Sequence, residues 1–259
     1  MGAEGIDVNR KTYIDNDFYT AGMTVKDPQT KGENNMALHA GIDREQSLEN
    51  RKVLLDALSY TMDELVCAHQ THSNHFQKVS QQDAGKGART FVDAIDDTDA
   101  LYTRDTGLVL SSFAADCVPV TFYHVTEELI GAVHSGWQGT VKELVSNLFA
   151  HLITNENCAP EGFRVQIGMA LSQEKFEVDK DVYLKFKALD YADPFISFNE
   201  ATGKYHIDNQ LTVKTQLLRA GVPADRITID RSCTFKSPNG FSYREDKQCG
   251  RHMAYIVKK

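Results

Sequence analysis

The residues with most chemical capacity are a cysteine and two histidines, each at the end of an apolar run. Cys117 lies in Ala-Asp-Cys (115–117), flanked on both sides by apolar segments. His134 closes the next apolar run and opens His-Ser-Gly-Trp (134–137). A thiolate and an imidazole on neighbouring strands suit a Cys–His nucleophile pair or two ligands of a zinc site. His72, in the polar cluster QTHSNH (70–75), offers a third donor. Three protein ligands of His, Cys, His type leave one coordination position open, which is the catalytic zinc pattern. His69, His72 and His75 recur every third residue, the spacing of a helical metal-binding face or of a polar loop. Asp116 needs a partner, because an uncompensated carboxylate between buried strands is costly. It is either a proton shuttle or a structural carboxylate.

Two further segments could hold an anion. HSGWQGT (134–140) reads as the start of a helix, with Gly136 and Gly139 keeping side chains clear and Ser135 or Thr140 as the cap. Free N–H groups at such a terminus can bind phosphate. Near the C-terminus, Tyr243, Arg244 and Arg251 are close in sequence, and arginines there could clamp a phosphate. Neither GxxxxGK[ST] nor GxGxxG occurs, so a nucleoside triphosphate or dinucleotide site is not indicated.

The surrounding elements must bring these groups together. Residues 107–113, 118–125 and 129–134 read as three buried strands, with Cys117 and His134 at their ends. Residues 65–69, 164–170, 226–230 and 252–257 are also strand-like. Asp43 and Gln46 have capping-box spacing for a helix over 47–61, with Leu54, Leu55, Leu58 and Met62 on one face. Residues 140–153 and 209–221 are predicted helices, the second stopped by Gly221 with Pro223 beyond. The irregular alternation indicates an α/β or α+β class with a mixed sheet. Strand ends are where side chains from separate parts of a sheet converge.

Composition narrows the classes. Lys plus Arg is 28 and Asp plus Glu is 36, a net charge of −8 with no basic run, which argues against a nucleic-acid partner. No apolar stretch approaches the ~18 residues that span a bilayer, so no membrane role is expected. The N-terminal MGAEGIDVNRK has no apolar signal core. Five cysteines without a CxxC pair fit reduced thiols, and a cytoplasmic location is expected.

Several blocks, in order, resemble the YfiH-like family, also called laccase-domain or multicopper polyphenol oxidases and since regarded as purine nucleoside enzymes. They are NMALHAGIDREQSLENR (35–51), HQTHS (69–73), DALYT (99–103), ADCVPV (115–120), AVHSGWQGT (132–140) and FSYREDKQCGRHMAYIV (241–257). The resemblance covers residues 35–259 as one enzyme domain, with 1–34 as a weakly matched N-terminal segment of the same domain. It implies a layered α-β-β-α sandwich of mixed sheets and metal ligands at His72, Cys117 and His134. Asp116 and Cys117 are the catalytic candidates, and Asn50, Arg51, Tyr243, Arg244 and Arg251 the candidates for substrate contact. Three positions depart from the family pattern by lacking an arginine: Ala21, Gln138 and Glu245.

The implied activity is zinc-dependent chemistry on purine nucleosides. It comprises phosphorolysis of adenosine, inosine or methylthioadenosine with phosphate, and adenosine deamination, by a monomer or homodimer. A copper polyphenol oxidase and a Cys–His hydrolase are the alternatives, with copper as the alternative metal. A multicopper centre needs on the order of ten His ligands, commonly in HxH pairs, to hold several ions. The chain has nine histidines and no HxH, which argues against that alternative.

Overall fold

The computed structural model describes residues 9–41 and 43–259; residues 1–8 of the N-terminal segment lie outside them. The strands are β1 (Arg10–Asp15), β2 (Tyr19–Thr24), β3 (Leu65–Val66), β4 (Phe76–Lys78), β5 (Ala100–Thr103), β6 (Val109–Ala114) and β7 (Val118–His124). They continue as β8 (Ile130–Ser135), β9 (Phe163–Ile167), β10 (Glu177–Val178), β11 (Ile196–Asn199), β12 (Lys204–Ile207), β13 (Ile227–Ile229) and β14 (His252–Lys258). The helices are α1 (Arg44–Leu58), α2 (Trp137–Val141), α3 (Leu144–Asn155), α4 (Lys180–Lys187) and α5 (Asn209–Arg219).

One sheet runs β1-β2-β14-β6-β3 and a second runs β13-β9-β7-β8-β5-β4. Period-two alternation along each strand decides which side chains face which layer. Met253, Tyr255 and Val257 of β14 pack with Leu54 and Leu55 of α1, whereas Ile256 points the other way. There it meets Ala21 of β2, Leu110 of β6 and, from the second sheet, Leu101, Ile130 and Ala132. The outer face of the second sheet, with Val120, Phe122 and Val133, buries Leu148, Phe149 and Leu152 of α3 and Val213 and Leu217 of α5. The order α1, sheet, sheet, α3 with α5 is an α-β-β-α sandwich. A three-stranded sheet, β10-β12-β11, packs with α4 as an appended layer around Phe176, Phe186 and Ile207.

Local signals explain most helix ends. The Asp43 carboxylate accepts from the Gln46 backbone N–H at 3.0 Å, capping α1. The Gln46 side chain donates to Asn50 rather than returning to the cap, so the predicted capping box is half formed. Gly221, with φ of +93°, supplies the left-handed residue beyond α5. The helix predicted over 140–153 is interrupted at Glu143, whose φ of +58° separates α2 from α3. Ser135 and Thr140 bond each other at 2.9 Å, and the cap is Gly136 with no side-chain bond. With only five residues, α2 adds little dipole for an anion.

Candidate active site

The loops between strands converge where the sequence places its Cys and His residues. Cys117 is the last residue of the turn that joins β6 to β7, and His134 lies on β8 beside it, register-paired with Pro119. His72 arrives on the loop before β4 with φ of +60°, and Asp116 turns the chain with φ of +86°. Two non-glycine residues in the left-handed region each cost about 1 kcal/mol or more, so the surrounding contacts must hold them. His69 and His75 are not a metal face with His72. They turn out to pair with Asp96 and Asp97 on a loop.

The ligand atoms of His72, Cys117 and His134 all lie within 4.8 Å of one another. Cys117 Sγ is 3.8 Å from His72 Nε2. Tetrahedral zinc with its usual Zn–S and Zn–N lengths puts those two atoms ~3.6 Å apart, so the donors fit such an ion. Gly136 makes this closeness possible: a Cβ there would stand 2.7 Å from His72 Cδ2 and 3.0 Å from Cys117 Sγ.

Behind the three donors stands Asp99, the first residue of the DALYT block, which residue-type reasoning left without a role. Its side chain is fully buried. It accepts from His134 Nδ1 at 2.8 Å, from Ser73 N and Oγ at 2.8 Å, and from Thr71 N and His72 N at 3.1 and 3.2 Å. The bond to Nδ1 fixes that nitrogen as a donor, so Nε2 is the atom that would take a ligand once its own proton is lost, as in metal-binding histidines. Burial alone would raise the Asp99 pKa, but the His134 and Ser73 bonds outweigh it and hold it at about 2. Burial likewise opposes charge on Cys117, yet the imidazoles of His134 and His72 bring the thiol down to about 6. His134 moves up to about 9, because the Cys117 charge and the Asp99 bond overcome its burial. A charged residue directly before an apolar strand was the sequence signal for Asp99.

His72 and Cys117 open onto a cavity of ≈ 510 Å³. One wall is apolar, with Trp137, Leu171, Phe176, Val178 and Val182. Arg244 and Lys247 bring positive charge, and Glu177, Asp179 and Asp181 negative charge. Asp116 is on the wall with both oxygens engaged, accepting from Thr234 Oγ1 at 2.6 Å and from the Arg244 backbone N–H at 2.7 Å. It thereby ties the Tyr243–Lys247 loop to the Cys117 turn.

The sequence-derived substrate residues divide. Tyr243, 48 % exposed, and Arg244 line the cavity. Arg251 stands behind them, its guanidinium 5.5 Å from the Tyr243 ring and donating to the Cys249 and Gly250 carbonyls. Asn50 and Arg51 are buried away from the cavity. Asn50 donates to the Asn35 carbonyl, and Arg51, 2 % exposed, donates to the carbonyls of Met36, Gly87 and Ala88. Of the three positions without arginine, only Gln138 lines the cavity; Ala21 is in the core between the sheets and Glu245 is exposed. Lys247, Trp137 and the 176–182 wall were not anticipated, because short strands and a half-exposed helix leave little periodicity to read.

The family model described as multi-copper polyphenol oxidoreductase laccase matches residues 20–259. The chain belongs to this family. It is 34 % identical over 246 residues to a protein of Geobacillus stearothermophilus named purine nucleoside phosphorylase YlmD, covering 92 % of this chain and 90 % of that protein. The Bacillus subtilis protein of the same name is 31 % identical, with 96 % and 92 % covered. Among solved structures, the hypothetical protein YfiH of Bacillus licheniformis superposes with a TM-score of 0.88 at 30 % identity, covering 93 % of each chain. YlmD from Geobacillus stearothermophilus does so at 0.85 and 30 %, covering 98 % of this chain and all of that one. The family match begins at Thr20, the second residue of β2. No helix among the described residues is long and apolar enough to cross a membrane.

Proposed function

We propose that this protein is a zinc-dependent purine nucleoside phosphorylase of the cytoplasm, acting on adenosine, inosine or methylthioadenosine with phosphate. The observation that carries the reading is that, of the grouped donors His72, Cys117 and His134, the first two open onto a cavity that combines an apolar wall with the cations Arg244 and Lys247. The names of the YlmD relatives support it.

His72, Cys117 and His134 would hold the ion, whose contribution when bound is Lewis-acid polarisation and a lowered pKa for water. Cys117 therefore acts as a ligand rather than a nucleophile. Trp137, Phe176 and Val182 give a purine ring an apolar surface and exclude water from it. Arg244 and Lys247 attract the phosphate, and Asp116 holds the Arg244 backbone in place as a positioning residue. In phosphorolysis a phosphate oxygen bonds to the ribose C1′ while the C1′–N9 bond breaks. The bonding pair leaves with the base, which takes up a proton, giving free purine and ribose 1-phosphate, or its 5-methylthio derivative from methylthioadenosine. An ion held by those three donors would also supply the activated water that adenosine deamination needs, which favours that reaction as a second activity.

A multicopper oxidase centre is disfavoured, because the described residues gather His and Cys donors into a single group of three. The test is to measure bound metal by mass spectrometry and to incubate the protein with adenosine or inosine, with and without phosphate. Free base that appears only with phosphate is the expected result, and inosine from adenosine without phosphate marks deamination. No product from any nucleoside, with His72→Ala indistinguishable from wild type, would overturn the proposal. Oxidation of a phenol without added copper would do the same.

A further inference from the structure

The cavity holds four carboxylates, and they are not equivalent. Both oxygens of Asp116 already accept hydrogen bonds from the protein. Asp179 and Asp181 are exposed to solvent. Glu177 differs from all three. Its side chain is 30 % exposed, and its Oε2 stands 3.5 Å from His206 Nε2, its cross-strand partner on β12. That separation is too long for a well-formed hydrogen bond, and His206 Nε2 has no such partner. Lys204 Nζ is 4.0 Å from the other oxygen. The Glu177 carboxylate thus stands between His206 and Lys204 yet accepts no hydrogen bond among the described residues.

Its backbone is fixed as well. β10 is an edge strand, and the Glu177 carbonyl on that edge accepts from Arg244 Nη1 at 2.9 Å. Phe176 and Val178, on either side, turn into the apolar cluster with Phe186 and Ile207. The wall therefore presents, on an anchored backbone, an acceptor-only group whose two oxygens accept no hydrogen bond, beside an apolar surface. Such a group repels phosphate, which is drawn to Arg244 and Lys247, and complements a donor pair. A ribose offers a donor pair in its vicinal 2′- and 3′-hydroxyls.

Resting on the nucleoside reading above, we propose that Glu177 binds the ribose diol and makes this protein selective for ribonucleosides over their deoxy counterparts. Hydrogen bonds from neutral donors to a carboxylate are among the stronger ones, so their loss is visible in both binding and turnover.

The experiment compares inosine with 2′,3′-dideoxyinosine in wild type, Glu177→Gln and Glu177→Asp. Affinity is read by titration calorimetry, and kcat/KM by base release at saturating phosphate. Wild type is expected to favour inosine about 10- to 100-fold in both readouts. Glu177→Gln is expected to lose most of that ratio by weakening inosine alone, with the phosphate KM unchanged within about two-fold. Glu177→Asp, which keeps the charge on a shorter arm, is expected to fall between them and guards against a folding defect in the Gln variant. An inosine-to-dideoxyinosine ratio unchanged in both variants overturns the assignment. If no variant turns over any nucleoside, the phosphorylase reading fails, while the calorimetric ratio still decides whether Glu177 holds the diol.

Discussion

Replacing Asp99 with asparagine separates orientation of the proposed metal ligands from their mere presence. The wild-type carboxylate receives five donors from four residues and is held at about 2 instead of the ordinary 3.8. At about 1.4 kcal/mol per pKa unit, the environment favours the charged form by roughly 2–3 kcal/mol, despite the opposing burial. An amide has one acceptor oxygen and a donor NH₂, so either flip sets an N–H against a protein N–H. If the NH₂ faces His134, the imidazole must accept at Nδ1 and carry its proton on Nε2, the atom required for the metal. Loss of such an orienting partner weakens metal binding by about 10- to 100-fold. Chelator competition should find that loss in Asp99→Asn, and urea titration of the metal-free protein a loss of about 2–3 kcal/mol. Ser73→Ala is the comparison, because it removes one donor without touching the tautomer. It should cost about 1 kcal/mol of stability and leave metal affinity within two-fold. Asp99→Asn with wild-type metal affinity would refute the claim that this carboxylate sets the state of His134.

Gly136→Ala should strip the centre by steric means alone, because its φ of −64° suits any residue while the new Cβ meets His72 and Cys117. Metal content by mass spectrometry should fall with little loss of fold, and full occupancy would contradict the placement. Arg51→Met should leave three buried carbonyls without their donor and cost about 3–5 kcal/mol by urea unfolding. The nucleoside KM of the folded protein should hold within two-fold, and a large KM rise at unchanged stability would return Arg51 to the substrate. His252 accepts from Phe241 N and, through Nδ1, donates to the Thr24 carbonyl, and burial lowers its pKa to about 3. At pH below the unfolded value of about 6.5 the unfolded chain binds a proton that the native state refuses, so stability falls between pH 6.5 and 3. That slope approaches about 1.4 kcal/mol per pH unit. His252→Gln should flatten this acid limb in urea midpoints measured from pH 7 to 4, and an unaltered slope would show that other groups set it.

The sequence was most informative where chemistry and pattern coincide. Cys117 and His134 could be placed at the mouths of adjacent strands, because β6, β7 and β8 are buried on both faces and read as continuous apolar runs. His72 was a third candidate by residue type, and the capping of α1 and the end of α5 followed from Asp43 and Gly221. Arginines were harder to read. Arg51 and Arg244 look alike in a sequence, but one meets three carbonyls in the core and the other lines the cavity. Short strands such as β4, β10 and β13 depend on their partners for stability, so their own residues carry a weak signal.

Residue types and strand periodicity alone therefore offered Cys117, His134 and His72 as candidate donors and indicated the class of fold. That the three converge into one group that could hold a metal ion is a result of tertiary structure, because it depends on distances among three separate segments. So is the orienting role of Asp99, whose five hydrogen bonds come from the His72 loop and from β8. The division of the cavity into apolar, basic and acidic walls depends on how β10 and α4 face the Tyr243–Lys247 loop. Those segments are remote in the chain, and local preference says nothing of contacts that only long-range packing creates.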